Sequence, residues 1–200
     1  MRGGLRLVLA SRSPQRDGLL RQLGIPFRTC VSRHEERGDL GGPSATVEGN
    51  ARGKAAEVAA RVHLAEREYI LASDTVVVID GRVLGKAGTE EEAAAHLRRL
   101  SGRTHEVYSG LCLKRGDEER CGHAVTAVTF REIGAGALAR YVASGEWRER
   151  AGAYAIQGLG SAFIEAVAGD YFNVVGLPVR LLVDELVSLR VEPLQWLDAR

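Results

Sequence analysis

The sequence predicts a mixed α/β fold in which helices flank a sheet, and two observations indicate this class. Short apolar runs typical of buried strands alternate with segments whose apolar residues recur at helical spacing. The middle of the chain alternates apolar and polar residues over two long runs, which predicts a β-rich section. A chain of 200 residues can form one sizeable domain or two closely joined lobes.

The first predicted elements are a buried strand over 5–10 and a helix directly after it. Ser13 is a favourable N-cap, and Pro14 occupies the first helical turn, where a missing N–H is tolerated. Gly24 ends the helix, and Pro26 follows as a second helix-stopping residue.

The sharp turn from strand to helix also predicts a local anion site. Backbone N–H groups at a helix N-terminus favour phosphate, and Arg12 and Arg16 add positive charge there. Many α/β proteins begin with a strand, a cap and a helix for structural reasons alone, so the structural interpretation stays open at this point.

The next elements are a strand over 27–32 and a long helix over 44–66, separated by a Gly/Pro break at 41–43. The helix carries apolar residues at helical spacing on one face. Strands are then predicted over 69–72 and 75–79, and a turn at 80–81 makes a hairpin with 82–84. Thr89 and Glu92 form a capping box for a helix that ends near 101–102.

The second half predicts strands over 105–114 and 121–130, joined by a charged turn. A helix over 135–144 ends at Gly145, two strands cover 162–167 and 171–175, and a last apolar helix covers 178–189.

Composition excludes several classes of protein. The net charge of +1 gives no overall electrostatic attraction to nucleic acid or to an anionic membrane. No apolar run approaches the length of a membrane span, and the N-terminus lacks the pattern of a signal peptide. These features predict a cytoplasmic protein with neither a nucleic-acid nor a membrane partner.

Cysteine and histidine spacing predicts neither a disulfide framework nor a structural zinc site. The cysteines Cys30, Cys112 and Cys121 are odd in number and lack C-x-x-C spacing. Cys112 and Cys121 either face each other across a hairpin or remain as two half-buried thiols, and we expect the thiols. The five histidines never recur at metal-ligand spacing.

Several charged residues stand at positions that favour chemistry. Asp74 lies between two apolar runs, where a carboxylate is costly unless it has a cation partner or caps a turn. Lys86 ends the next strand, and Lys54 follows Asn50 by one helical turn. Glu35 and Glu36 lie in a loop and, taken alone, indicate only a solvated surface. With them and the arginines of the first turn, these residues suit a Mg²⁺-bound polyphosphate if they converge.

These residues resemble the Maf family of nucleoside triphosphate pyrophosphatases. The first segment, Ala10-Ser-Arg-Ser-Pro-Gln-Arg16 with Leu19-Leu20, resembles the family's Ser-x-Ser-Pro-Arg-Arg signature. Further segments follow in family order: Asn50-Ala with Lys54-Ala55, Ser73-Asp-Thr75, Gly85-Lys86, Leu100-Ser-Gly102 with His105 to Gly110, Ala151 to Gly158, and Asn173 to Pro178.

The resemblance implies hydrolysis of a nucleoside triphosphate to a monophosphate and pyrophosphate, with a divalent metal cation (Mg²⁺ or Mn²⁺). It implies Asp74 as the proton acceptor that activates water, and Glu36 with Asp74 as the carboxylates on the metal side. The remaining positions implied to contact the phosphates are Arg16, Lys54, Lys86 and, in the first loop, Ser11. It further implies a two-lobed mixed sheet with flanking helices and a central cleft, and a homodimer.

Three positions bear on the nucleotide base. Thr75 and Gln157 resemble the branch that prefers dTTP and UTP, and an amide can both donate to and accept from a pyrimidine edge. Gln157 as a buried amide that pins the glycine turn is the structural alternative. Gln15 replaces the first of the paired arginines, and Arg12 is a candidate to restore that charge.

A nucleotide-binding regulator of septum formation and cell division, with hydrolysis secondary, is the second hypothesis. Asp74, Lys54 and Lys86 favour catalysis over binding alone, because a binding protein has less need of a carboxylate beside a triphosphate. For the homodimer, the candidate exposed aromatics are Tyr141, Trp147 and Trp196, each with a core position as its alternative.

Overall fold

The computed structural model describes residues 5–192, 194, 196 and 197. Its strands are β1 (Arg6–Leu9), β2 (Phe27–Thr29), β3 (Glu68–Ile79), β4 (Arg82–Leu84), β5 (Thr104–Arg115), β6 (Glu118–Phe130) and β7 (Ile164–Ala168). Its helices are α1 (Pro14–Gln22), α2 (Pro43–Ala59), α3 (Glu90–Leu100), α4 (Ala135–Ser144), α5 (Tyr171–Val175) and α6 (Val179–Ser188), with a 3₁₀ helix at Leu159–Phe163. The predicted mixed α/β class is confirmed. Among the helices described, none has the length and apolarity to cross a membrane.

The strands form one mixed, seven-stranded sheet in the order β2-β1-β3-β5-β6-β7, with β4 paired to β3. β1 pairs in parallel with β2 and with β3, whereas β3/β4 and β6/β7 are antiparallel. Parallel neighbours need a crossover connection, and α1 and α2 supply the two crossovers from β1 to β2 and from β2 to β3.

The chain divides into two compact units. The first comprises the described parts of Met1–Asp74, Ser109–Ala124 and Gly176–Arg200, and the second comprises Thr75–Tyr108 and Val125–Val175. Strands β3, β5 and β6 each contribute residues to both units.

In the first unit, α2 packs its small residues onto the sheet. Ala51, Ala55 and Val58 are fully buried and share one apolar cluster with residues of the strands. The strand residues of this cluster are Val8, Ile70, Ala72 and Cys112. Small side chains on this face allow the helix to lie close to the sheet.

In the second unit, the core forms around α3, α4 and the strands beside them. Trp147 is buried and its Nε1 donates to the Val142 carbonyl at 2.9 Å. Tyr141 is also buried, and so is Trp196 in the first unit. The expectation of partly exposed aromatics at these three positions is therefore wrong, and their core alternative holds.

Helix α2 ends earlier than the prediction of 44–66. The chain leaves the helix after Ala59 because Glu68 pairs with Arg6 as the first residue of β3. The Glu68 carboxylate accepts a hydrogen bond from the Ala65 backbone N–H at 3.1 Å and so closes the connecting turn. Pairing within the sheet therefore overrides the helical pattern of residues 60–66.

Two further predicted elements differ in the structure. Strand β3 runs without a break through Asp74, where two strands were predicted, because the buried carboxylate has hydrogen-bonding partners. The segment 171–175 is helix α5 and not a strand. Asp170 accepts a hydrogen bond from the Phe172 N–H at 2.8 Å and begins a turn there, and Gly176, with φ of +121°, follows the helix.

The β5–β6 hairpin pairs two of the cysteines. Its two-residue turn at 116–117 places Cys112 and Cys121 directly opposite each other, with their Cα atoms 4.1 Å apart. The structure joins them as a disulfide, whereas Cys30 is a free cysteine. The expectation of two thiols at 112 and 121 is wrong because the short turn forces the two side chains together.

Gly110 in β5 tests the close approach of α2. A Cβ atom at this position would overlap the backbone of Val47 and Glu48 in α2. We expect Gly110→Ala to lower the free energy of unfolding by about 1–3 kcal/mol through overpacking, measured by urea denaturation.

Gly18→Ala is the matched control for this substitution. No atom lies within 4 Å of a Cβ added at Gly18, which is inside α1, so the same change should raise stability by up to about 1 kcal/mol. Equal effects of the two substitutions would contradict the packing argument.

Candidate active site

Asp74 is the centre of a buried polar cluster in the first unit. Its Oδ1 accepts from the Lys54 Nζ at 2.7 Å, and its Oδ2 accepts from the Asn50 Nδ2 at 2.9 Å. The side chains of Asp74 and Lys54 are only 8% and 9% exposed. A carboxylate buried to this degree needs a cation and hydrogen-bond donors, and both are present.

Lys54 also binds a second carboxylate. Its Nζ lies 2.5 Å from the Glu36 Oε1 and 3.4 Å from the Ser73 carbonyl oxygen. The Glu36 side chain is 53% exposed, so this carboxylate faces solvent while Asp74 does not. One ammonium group therefore joins a buried and an accessible carboxylate.

Asn50 fixes the loop that carries Glu36. Its Oδ1 accepts from the Arg37 backbone N–H at 2.8 Å, and its Nδ2 donates to the Arg37 carbonyl at 3.0 Å as well as to Asp74. Residues four apart on a helix lie on one face, so α2 presents Asn50 and Lys54 together. Asn50 was not among the predicted site residues, and its i, i+4 spacing to Lys54 was the signal for it.

Arg16 and Ser11 lie at the N-terminus of α1 and form a second group of hydrogen-bond donors, held in place by hydrogen bonds. The Arg16 Nε donates to the Gly176 carbonyl at 2.8 Å, and its Nη1 donates to the Ser11 Oγ at 3.1 Å. Ser11 Oγ also accepts from the Ser13 N–H at 3.1 Å, which leaves its O–H hydrogen for donation to another acceptor.

Electrostatics link Arg16 to the carboxylates. Burial lowers the pKa of Arg16, and the negative charges of Asp74 and Glu36 oppose that shift. Within the part of the chain that the structure describes, no side chain caps the first N–H groups of α1. Uncapped N–H groups beside a buried guanidinium suit an anion.

Gln15 and Arg12 are less buried than Arg16. Gln15 accepts a hydrogen bond from the Ser13 hydroxyl at 2.9 Å, and Arg12 is exposed. Gln15 as a substrate contact and Arg12 as a replacement charge both stay predictions.

Three predicted site residues, Thr75, Lys86 and Gln157, belong to the second unit. Lys86 is exposed and pairs with Glu149 at 2.9 Å, and its backbone forms an antiparallel bridge to Ala151. That bridge joins Lys86 to the start of the segment that contains Gln157. Gln157 is exposed, so its structural alternative as a buried amide is wrong, and Thr75 is half-buried.

The carboxylates of the first unit suit a hard divalent cation. Magnesium in proteins is usually bound by one or two carboxylates together with water and substrate phosphates, and Glu36 and Asp74 provide two. Among the described residues, the closely spaced group of three possible metal ligands is Cys112, Glu119 and Cys121. That group contains the disulfide and lacks the all-oxygen donor set that Mg²⁺ requires.

Comparison with known proteins identifies the family. The family model described as "Maf-like protein" matches residues 6–189. The chain belongs to the Maf family. Strand β1, the α1 N-terminus, α2 and Asp74 all lie inside the matched range.

Three relatives are similar to the chain over most of its length, and each is named dTTP/UTP pyrophosphatase. The Symbiobacterium thermophilum protein is 45% identical over 183 residues, covering 91% of this chain and 93% of the relative. The Thermococcus kodakarensis protein is 43% identical, covering 88% and 93%. The Moorella thermoacetica protein is 46% identical, covering 92% and 94%.

A solved structure is more distantly similar. The Staphylococcus aureus Ham1 protein has a TM-score of 0.45 and 15% identity, covering 62% of this chain and 71% of that chain. This similarity carries no conclusion about the function of the Maf chain.

The buried ion pair can be tested by stability. Lys54→Met leaves the Asp74 carboxylate buried without its cation, and we expect a loss of about 3–5 kcal/mol in the free energy of unfolding. The double variant Lys54→Met/Asp74→Asn should recover a large part of that loss, because it removes the uncompensated charge. Urea denaturation measures both variants.

The control pair is Asp17 and Arg21, which are four residues apart in α1 and form an exposed salt bridge at 2.6 Å. Removing either of these charges should change stability by less than about 1 kcal/mol. Additive effects of the Lys54 and Asp74 substitutions would show that the two groups are not coupled.

Proposed function

We propose that this Maf chain is a nucleoside triphosphate pyrophosphatase that hydrolyses dTTP and UTP to the monophosphate and pyrophosphate. The relatives named dTTP/UTP pyrophosphatase, 43–46% identical over most of the chain, support the reaction and the base preference. The observation that carries the proposal is Lys54 bonded to both Asp74 and Glu36, with Asn50 holding Asp74. This arrangement places an accessible carboxylate beside a buried one of fixed orientation, which suits a divalent cation and a water-activating base.

Phosphate oxygens are the proposed ligands of the cationic groups. Arg16 is held by the Gly176 carbonyl and Ser11, so its guanidinium is already oriented before an anion arrives. Ser11 donates its O–H hydrogen to a phosphate oxygen. Lys86 exchanges its exposed partner Glu149 for phosphate, since an exposed ion pair contributes at most about 1 kcal/mol.

The divalent cation, Mg²⁺ or Mn²⁺, is proposed to be held by Glu36 and Asp74. When bound, it would act as a Lewis acid that neutralises phosphate charge. The exposed Glu36 is accessible to a cation that arrives with the nucleotide. Lys54 contacts both carboxylates, and together with Arg16 it balances their two negative charges when no nucleotide is bound.

Asp74 is the proposed proton acceptor. The oxygen of a water molecule forms a bond to the α-phosphorus, and Asp74 takes the proton of that water. The bond from the α-phosphorus to the bridging oxygen breaks, and pyrophosphate leaves with the electron pair. Asn50 and Lys54 hold the two carboxylate oxygens in a fixed plane, which orients Asp74 toward the water.

Gln157 is the proposed reader of the base. Its amide can donate to and accept from the hydrogen-bonding edge of uracil or thymine. Its exposure leaves the amide available to a ligand. Thr75 and Gln15 are the further proposed substrate contacts. A homodimer stays a prediction that rests on the family resemblance, and a cytoplasmic location stays a prediction that rests on composition.

Product analysis tests the function. Purified protein with Mg²⁺ or Mn²⁺ is given dTTP, UTP, CTP, GTP and 7-methyl-GTP, and the products are separated chromatographically. Release of monophosphate and pyrophosphate, fastest from dTTP and UTP, is the expected result. Binding without turnover of any nucleotide would reject the enzyme and favour the regulator of septum formation.

Asp74→Asn should reduce the rate of hydrolysis by at least about a hundredfold while nucleotide binding remains measurable. The amide keeps an oxygen acceptor and the size of the side chain, but it does not accept the proton. Asp117→Asn, an exposed carboxylate in the β5–β6 turn, is the control and should retain full activity. Full activity of Asp74→Asn would remove Asp74 from the mechanism.

Gln157→Ala should reduce the preference for UTP over CTP by about tenfold, with a smaller effect on kcat. UTP and CTP have the same ring size and differ at the hydrogen-bonding edge, so their ratio of kcat/KM isolates the contribution of the amide. An unchanged ratio would mean that Gln157 does not read the base.

A further inference from the structure

The segment that presents Gln157 is anchored on both sides of this residue. Residues 152–156 are buried, Gln157 is exposed, and Gly160 is buried again. The Gly158 N–H donates to the Ala155 carbonyl at 3.2 Å, so Gln157 lies inside a tight turn. The exposed amide therefore extends from backbone that is fixed before and after it.

Tyr141 provides the anchor before Gln157. This tyrosine is in α4 and is 3% exposed, and its hydroxyl oxygen accepts from the Ala155 backbone N–H at 3.1 Å. Burial and the negative charge of Glu146 raise the pKa of Tyr141, so the hydroxyl stays protonated at physiological pH. A neutral hydroxyl at this depth is suited to hold a backbone group.

Glu146 provides the anchor after Gln157. Its Oε1 accepts from the Leu159 N–H at 2.8 Å, and its Oε2 accepts from the Gly160 N–H at 3.0 Å. Hydrogen bonds from N–H groups to a charged carboxylate are stronger than neutral ones. A Cβ atom added at Gly158 would overlap this carboxylate, so the Glu146 side chain would have to move.

We propose that two positioning residues, Tyr141 in the last turn of α4 and Glu146 just beyond its end, set the base preference by fixing the turn around Gln157. Neither residue contacts the nucleotide in this proposal, and both act through the backbone at 155 and 159–160. The inference rests on the proposed function, because it requires Gln157 to read the base.

Pre-organisation of the turn is the physical reason why these two residues would affect the base preference. A base reader on a mobile turn loses binding free energy to the ordering of that turn, and a displaced amide distinguishes less well between donor and acceptor edges. Loosening the turn therefore lowers the discrimination between bases, whereas the rate of bond breaking at the phosphates stays the same. A purely structural role for Tyr141 would instead lower stability and leave the preference unchanged.

Tyr141→Phe tests the proposal, because it removes only the hydroxyl that holds Ala155. We expect the ratio of kcat/KM for UTP to that for CTP to fall about tenfold, while kcat for UTP at saturation changes less than about threefold. In a Gln157→Ala background the same substitution should not change the ratio further, since Tyr141 acts only through Gln157.

Ser101→Ala is the matched control. Ser101 is in the same unit but outside the segment around Gln157, and its hydroxyl oxygen accepts from the Ile133 backbone N–H at 2.7 Å. Removing this hydroxyl should lower the melting temperature and leave the UTP/CTP ratio within about twofold. Glu146→Gln is the second test variant, because its NH₂ group cannot accept the N–H bond that a carboxylate oxygen accepts.

The outcomes separate the two proposals. If Gln157→Ala lowers the ratio but Tyr141→Phe and Glu146→Gln do not, the positioning role is wrong and Gln157 remains the base reader. If Gln157→Ala leaves the ratio unchanged, the base-reading step of the proposed function fails, and the positioning proposal fails with it. If Tyr141→Phe still lowers the ratio in the Gln157→Ala background, Tyr141 acts by another route and the proposal is overturned.

Discussion

The ion pair between Lys54 and Asp74 is the interaction on which the candidate site depends. Strand β3 passes through this carboxylate without a break because an ammonium group and the Asn50 amide satisfy it. Without them, a charge buried to this degree would cost several kcal/mol and would disrupt the strand locally. The same contacts present the carboxylate in a fixed orientation, so the stability of the strand and the chemistry of Asp74 have one origin.

Helix α2 connects the ion pair of Lys54 and Asp74 to the apolar core of the first unit. One side of the helix buries small residues against the sheet, and Asn50 and Lys54 extend toward Asp74 and the Glu36 loop. Because Asn50 binds both the Arg37 backbone and Asp74, it fixes a loop that has no regular secondary structure. Packing of apolar residues thus determines where the polar ones lie.

Much of this arrangement could be predicted from the sequence, and what could not has identifiable causes. Helix α4 and its end at Gly145 were predictable because apolar periodicity and a glycine stop agree there. The identity of 171–175 was not, because the side chain of Asp170 begins a helical turn in a run with strand-like residues. The convergence of Glu36, Lys54 and Asp74 followed from family resemblance and not from spacing, since the three residues lie on different elements. The spacing of Asn50 to Lys54 indicates that both lie on one face of α2, but it does not show that the Asn50 amide holds the Arg37 backbone, which required the side-chain geometry.

The charges of the first-unit site also bear on the proposed cation. Arg16 and Lys54 balance Asp74 and Glu36, so this cluster is close to neutral before a ligand arrives. A nucleoside triphosphate adds about four negative charges, more than a neutral cluster can compensate. A divalent cation that binds with the nucleotide would offset part of this charge. Neutrality without ligand therefore supports the proposal that the metal and the triphosphate bind together, and the exposed Glu36 is the carboxylate more accessible to that cation.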